Sequence, residues 1–169
     1  HIGSDRNKHL EGMLFDEVAA DWGVGVEEMV CRVMAEESLT CGFRGTPPTS
    51  VKVWRQVEED VMELMSRPDY MVGSDSIPVG GMPHPRAYGC FVRVLGRLRR
   101  RYNYPVEQVV QRLTQNPAER FGLTDRGVIA ESKFADLVIF DAERVIDRSS
   151  FEDPQVHPEG VPWVLVNGQ

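Results

Sequence analysis

Several things are scarce in this sequence, and each shortage narrows the reading. Cys31, Cys41 and Cys90 are widely spaced, make no CxxC pair and are odd in number. That argues against a disulfide framework and for a reducing, cytoplasmic compartment. Histidine is scarcer than metal chemistry needs: His1, His9, His84 and His157 are the full set of four, and no HxH pair occurs. A hydrolytic metal site takes several ligands. No lysine stands on a clear strand end, and neither Cys31 nor Cys41 has a histidine at ligand spacing. A buried helix cysteine and a loop thiol are therefore the preferred reading of those two. No apolar run reaches membrane-spanning length, and no signal peptide opens the chain. Basic residues are outnumbered, 19 against 26, for a net charge of -7. This speaks against nucleic acid as a partner. The chain starts on His1 rather than Met and ends on VLVNGQ, a strand cut short. Both ends suggest a piece of a longer polypeptide.

What is present is enough for one ordinary domain: 169 residues, 41% hydrophobic and 27% charged. The organising stretch is Tyr70 to Gly89, YMVGSDSIPVGGMPHPRAYG. Tyr70-Met71-Val72 is long enough for a buried strand and too short for a helix. Gly73-Ser74-Asp75 ends it with a carboxylate. A loop punctuated by Pro78, Gly80-Gly81, Pro83 and Pro85 follows. It carries His84, Arg86 and Tyr88, and then a helix begins. A strand, a polar tip, a loop with functional side chains and a helix, in that order, is how an α/β barrel displays an active site.

Around this stretch the pattern is mostly helical. Apolar stripes predict helices over 13–22 and 27–38. Thr49 or Ser50 caps a third, running to about Met65, with Val53, Trp54, Val57, Val61, Leu64 and Met65 as its buried face and Glu58-Glu59-Asp60 as its solvated side. A helix over 91–102 ends in Arg97, Arg99, Arg100 and Arg101. An exposed charged end is preferred there to a phosphate-binding patch. Pro105 opens a short helix, and Pro117 starts another turn closed by Gly122. Ala135 to Asp141 and Pro162 to Asn167 read as strands, with Asn167-Gly168 beginning a hairpin turn. Ala142 to Gly160 between them reads as a long surface loop.

Asp75 at a strand end can ligate a metal or move protons, or can simply cap a turn. Arg86, eleven positions on, offers a planar fork that suits a carboxylate, or forms a structural ion pair. His84 between two prolines reads as a positioned side chain or a plain turn histidine, and Tyr88 as a donor to the substrate or a packing residue.

VGSDSIP, PHPRAYGCFVRVLGRLRR, LTQNPAERFGLTDRGVIAESKFADLVIFD and WVLVNG together resemble the C-terminal part of the D-aminoacylases, the N-acyl-D-amino-acid deacylases of the amidohydrolase superfamily. The likeness is strongest from Tyr70 to Gln169 and weaker through Leu10 to Arg67. It implies an α/β chain: the C-terminal part of a (β/α)8 metal-dependent hydrolase barrel plus part of a small β-sandwich. Residues 1–123 would then close the barrel, with its last strand at about 70–75, and 124–169 would form the partial sandwich. The resemblance also implies a zinc-dependent hydrolase that cleaves an N-acyl-D-amino acid to a carboxylate and a D-amino acid. Asp75 matches the family's catalytic, proton-carrying aspartate and would be at most a weak metal ligand. Arg86 matches the arginine that holds the substrate α-carboxylate, while His84, Tyr88 and Ser76 line the substrate side. The other zinc ligands would lie outside this chain, so the chain alone is expected to be inactive and to need the N-terminal part of the enzyme or a companion chain. Two departures stand out: Ser76 follows the aspartate where the family has Gly, and Ser132 replaces a Gly that gives easy access to positive φ. The competing readings are a non-catalytic binding or scaffold chain and an amidohydrolase acting on cyclic amides.

Overall fold

A computed structural model describes residues 1–45, 47–77 and 82–169. Pro78, Gly80 and Gly81, counted above as loop punctuation, lie outside the described residues. The chain packs as two compact units, His1–Thr46 with Ile77–His84, and Pro47–Ser76 with Pro85–Gln169.

In the first unit a single helical turn at Lys8–Leu10 precedes α1 (Phe15–Trp22) and α2 (Val26–Glu36). The Glu17 carboxylate accepts the Leu14 N–H at 2.8 Å, closing the start of α1, and Gly23 ends it at φ 66°. Glu27 and Glu28 stand in the first turn of α2, where they suit the helix dipole. Ile2, Leu10, Val18, Ala19 and Met29 form the core. The N-terminal segment is tied down by buried Glu37, which accepts from the Gly3 and Ser4 amides, the Ser4 hydroxyl and the Asn7 amide group at 2.5–3.0 Å. Cys31, expected to be buried in its helix, is exposed, because the apolar stripe of α2 turns Met29 inward and leaves position 31 on the far side.

In the second unit Ser50 caps α3 (Val51–Ser66), its hydroxyl accepting the Val53 N–H at 3.2 Å. The faces of α3 differ from the expectation. Met62 and Met65 are buried, whereas Val53, Trp54, Val57 and Leu64 are 44–50% exposed. Glu58, read as solvated, is buried. It accepts from the Trp54 indole at 3.2 Å, the Tyr102 hydroxyl at 3.3 Å and the Arg101 guanidinium. Burial works against its charge, but Arg101 and Trp54 outweigh that and hold the carboxyl below the usual glutamate range.

A long helix starts at α4 (Arg86–Arg93), widens into a π segment at Val94–Leu98 and closes in a turn, α5 (Arg99–Arg101). Of its terminal arginines, Arg97 and Arg101 are exposed as expected, but all four are held by acceptors. Arg97 Nε donates to Asp147 at 2.6 Å, Arg99 and Arg100 donate to the Ala142 carbonyl, and Arg101 pairs with Glu58. Four cations this close together are spread over acceptors from two distant parts of the chain. Helices α6 (Val106–Leu113) and α7 (Gln115–Arg120) follow. The core joins Met62, Met65, Val94, Leu95, Val109 and Val145.

Two strands, β1 (Leu137–Ile139) and β2 (Trp163–Leu165), pair antiparallel, with Val138 opposite Val164. Asn167 and Gly168 both take positive φ, and Val166 and Gln169 exchange backbone bonds at 3.0 and 3.2 Å, the two-residue turn expected there. Ser132 takes φ 66° despite carrying a side chain. The stretch 142–160 is not a loose surface loop: Val145 is fully buried, Asp147 is 3% exposed, and Ile146 and Glu159 exchange two bonds at 3.0 Å. Tyr70 to Asp75 runs without a ladder partner among the described residues, so it is not a strand here. Extended backbone becomes a strand only where a neighbour supplies matching donors and acceptors.

Candidate functional site

The segment that carries Asp75 is held by side chains instead of a ladder. Asn116 Nδ2 donates to the carbonyls of Pro68 and Tyr70 at 2.7 and 2.8 Å, and the Val72 N–H reaches the Arg112 carbonyl at 3.3 Å. Beyond that anchor Asp75 adopts φ 46°. Aspartate is one of the few residues with a side chain that enters this region at small cost. The hydroxyls of Ser74 and Ser76 lie 3.2 Å apart on either side.

Ten residues later Pro85 presets the backbone for α4, and its carbonyl accepts the N–H groups of Tyr88 and Gly89 at 3.2 and 2.9 Å. Arg86, the first residue of α4, places Nη2 3.1 Å from Asp75 Oδ2. The Asp75 side chain is 89% exposed and that of Arg86 39%. An ion pair this open contributes on the order of 0.2–1 kcal/mol, so a competing carboxylate can take over the guanidinium without large loss. Cys90, one turn along α4, points its thiol at the Gly73 carbonyl, 3.8 Å away. Burial pushes that thiol up, more than the nearby Arg86 charge pulls it down, so it stays protonated at neutral pH.

Tyr88 packs edge-on against His157, with ring centroids 5.5 Å apart and planes at 71°. His157 was not among the expected site residues. Its segment read as a surface loop, and only the docking of that segment brings it to the PHPRAYG motif. His84 is exposed and belongs to the first unit, whereas Ser76, Asp75, Arg86 and Tyr88 belong to the second. A cavity of ≈ 410 Å³, lined by Gln115, Ala118, Glu119, Leu123, Arg126 and Lys133, contains none of the expected site residues. Among the described residues no group of three or more His, Cys, Asp or Glu could hold a metal ion. The donor set therefore does not fit a zinc site: Asp75 is a single carboxylate, turned to an arginine.

Comparison with known proteins gives the context for this geometry. Residues 6–169 match the family model described as "Amidohydrolase family". The chain is 36% identical over 158 residues to an N-acyl-D-glutamate deacylase of Alcaligenes xylosoxydans xylosoxydans, covering 93% of the chain and 30% of the relative. A D-aminoacylase of the same organism is also 36% identical, over 94% of the chain and 30% of its own length. Among solved structures, N-acyl-D-glutamate deacylase from Bordetella bronchiseptica, complexed with zinc and a phosphonate inhibitor, superposes with a TM-score of 0.71 at 32% identity, covering 98% of the chain and 32% of that protein. A D-aminoacylase crystal structure gives a TM-score of 0.72 at 32% identity, with 96% and 32% coverage. The chain thus spans about 30% of the length of the curated relatives it matches.

Proposed function

The chain belongs to the amidohydrolase family, and from that premise we propose that it is the C-terminal part of a zinc-dependent hydrolase that cleaves N-acyl-D-amino acids to a carboxylate and a D-amino acid. The observation that carries this reading is the 3.1 Å approach of Arg86 to Asp75 across the SDSIP…PHPRAYG motif. It brings a carboxylate and a carboxylate-binding fork to one place on the second unit.

In this reading zinc would supply activation of the attacking water, and its ligands would reside on polypeptide other than this chain. Arg86 grips the substrate α-carboxylate with paired N–H donors, which fixes the acyl amide relative to Asp75. That grip draws the guanidinium off Asp75. The freed carboxylate takes the proton of the attacking water at Oδ2 as the water oxygen bonds to the acyl carbon, and delivers it to the nitrogen as the C–N bond breaks, since that nitrogen otherwise leaves poorly as an anion. Tyr88 and Ser76 border the substrate, and His84 has a positioning role. Architecturally, residues 1–123 supply the end of the barrel, with 70–75 as its last strand once neighbouring strands provide a ladder, and 124–169 supply part of a β-sandwich through β1 and β2.

Exposed apolar surface supports the need for further polypeptide. Val53, Trp54 and Val57 on α3, and Val138, Ile139, Trp163 and Val164 on the two strands, are all 44–63% exposed. No described helix is long and apolar enough to cross a membrane, and a cytoplasmic setting without nucleic-acid partners is part of the proposal.

The test is hydrolysis of N-acetyl-D-methionine with zinc, by the chain alone and with the upstream polypeptide added. The chain alone should give no turnover. The assembled protein should be active, and Asp75→Asn should lower its kcat by about 10²–10⁴-fold. Turnover by the chain alone, or an unaffected Asp75→Asn protein, refutes the reading.

A further inference from the structure

We infer that Asp147 and Ser149 are positioning residues for Arg86: they dock the segment 145–149 along α4 and so fix the helix start from which Arg86 projects. The inference rests on the proposed role of Arg86 as carboxylate anchor.

Three observations along the long helix that opens with α4 converge. At its start the Ser149 hydroxyl donates to the Pro85 carbonyl at 2.9 Å, the same oxygen that accepts the Tyr88 and Gly89 amides. Midway, the Asp147 carboxylate, its side chain 4% exposed, receives Arg93 Nη1 at 3.1 Å and Arg97 Nε at 2.6 Å, while Arg97 Nη2 also reaches the Asp147 carbonyl at 3.1 Å. Between and beyond these, two glycines make the approach possible. A Cβ on Gly89 would stand 2.5 Å from the Ser149 hydroxyl and 3.3 Å from Asp147 Cβ, and one on Gly96 would collide with the Val145 carbonyl. Gly89 and Gly96 are seven residues apart, two helical turns, so they mark one face.

This arrangement is more than general packing. A buried carboxylate needs partners, and both partners here come from the helix that begins with Arg86. The segment does not touch the middle of a remote element. It closes on the first carbonyl of the site helix, and His157, eight residues past Ser149, packs its ring against Tyr88, a second residue of the motif. A first turn frays most easily because its N–H groups have no intrahelical acceptor and its carbonyls form the first bonds. A hydroxyl donated to the Pro85 carbonyl and two arginines fixed about two and three turns below oppose that fraying, so the guanidinium of Arg86 starts from one backbone position.

The experiment uses the full 169-residue chain with three variants: Ser149→Ala, Asp147→Asn, and Gly96→Ala, which displaces the segment without removing a polar group. Amide exchange at Tyr88 and Gly89 should quicken by about fivefold or more in Ser149→Ala, the equivalent of one lost hydrogen bond. Exchange at Val109, buried elsewhere in the unit, should not change. The second readout is the Arg86 Nε–Hε resonance titrated with N-acetyl-D-methionine and with its α-carboxamide. The variants should weaken the carboxylate response by about the same factor and leave the carboxamide response unchanged. Unchanged exchange at 88–89, or equal quickening at Val109, overturns the inference, since the segment then holds nothing specific to the site helix. Faster exchange with an unaltered carboxylate titration overturns it too. Arg86→Ala separates that outcome from a failure of the underlying reading. If it leaves carboxylate binding intact, Arg86 is not the anchor and the proposed function falls. If it abolishes binding, only the positioning role is lost. Should Asp147→Asn not fold, Ser149→Ala and Gly96→Ala decide the matter.

Discussion

Arg112→Met should destabilise the second unit by about 3 kcal/mol, which is two charge-assisted hydrogen bonds at about 1.5 kcal/mol each. Arg112 is 3% exposed. Its Nε donates to the Met65 carbonyl at 2.8 Å, and its Nη2 to the Arg67 and Ser66 carbonyls at 3.1 and 3.4 Å. These oxygens lie at the C-terminus of α3, where no intrahelical N–H can reach them. Nη1 adds bonds to Gln108 and Gln111 within its own helix at 3.2 and 2.9 Å. Methionine keeps much of the stem and removes the fork. The loss is smaller than five bonds' worth for two reasons. Met65 keeps the Tyr104 hydroxyl at 2.9 Å, and Ser66 and Arg67 are exposed, so water can serve their carbonyls. With a urea slope of about 2 kcal/mol/M, the midpoint should fall by about 1.5 M. The assay is urea unfolding followed by Trp54 fluorescence on α3, with Trp22 and Trp163 replaced by Phe so that the signal is local. Arg112→Lys should recover less than half, because an ammonium cannot span two carbonyls. A midpoint within about 0.3 M of the parent would show that the cap contributes little and that the reasoning is wrong.

Two further outcomes follow from single residues. Glu37 is held below its usual range, first by the Ser4 hydroxyl and then by Asn7. A depressed carboxyl stabilises fully above its unfolded value and loses that contribution as pH falls through the folded one. The protection factors of the Gly3 and Ser4 amides should therefore fall on acidification below the normal glutamate range in the parent, and be low and pH-insensitive in Glu37→Gln. Ser132→Gly should raise stability by about 0.5–1 kcal/mol, because the residue already sits at φ 66°. The corresponding rise in Tm of about 1–4 °C is readable by calorimetry, and a fall would show that the serine side chain contributes something the backbone angle does not reveal.

Much of the local structure was legible in the sequence, for local reasons. Ser50 caps α3 because a hydroxyl three residues before a helical amide is a short-range device. Asn167-Gly168 turns because both residues tolerate positive φ. Helices α1 to α3 follow from stripes that repeat every three or four residues. Asp75 and Arg86 stood out in one motif, but their meeting at 3.1 Å did not, because eleven positions of chain separate them and only the fold brings them together.

The remainder depended on distant partners. Glu58 looks solvated among neighbouring acids, yet Arg101, 43 positions away, makes its burial tolerable. Arg97 looks like part of a charged helix end until Asp147, 50 positions away, is folded against it. Cys31 and the apolar side of α3 show the converse. A stripe tells which residues share a face, but not which face finds a partner. The sequence by itself determined helices α1 to α3 and the closing turn, because these need only neighbours along the chain. Tertiary structure alone decided which charges are buried, that 145–149 lies against the site helix, and that His157 meets Tyr88, because those depend on groups brought together only when the chain has closed on itself.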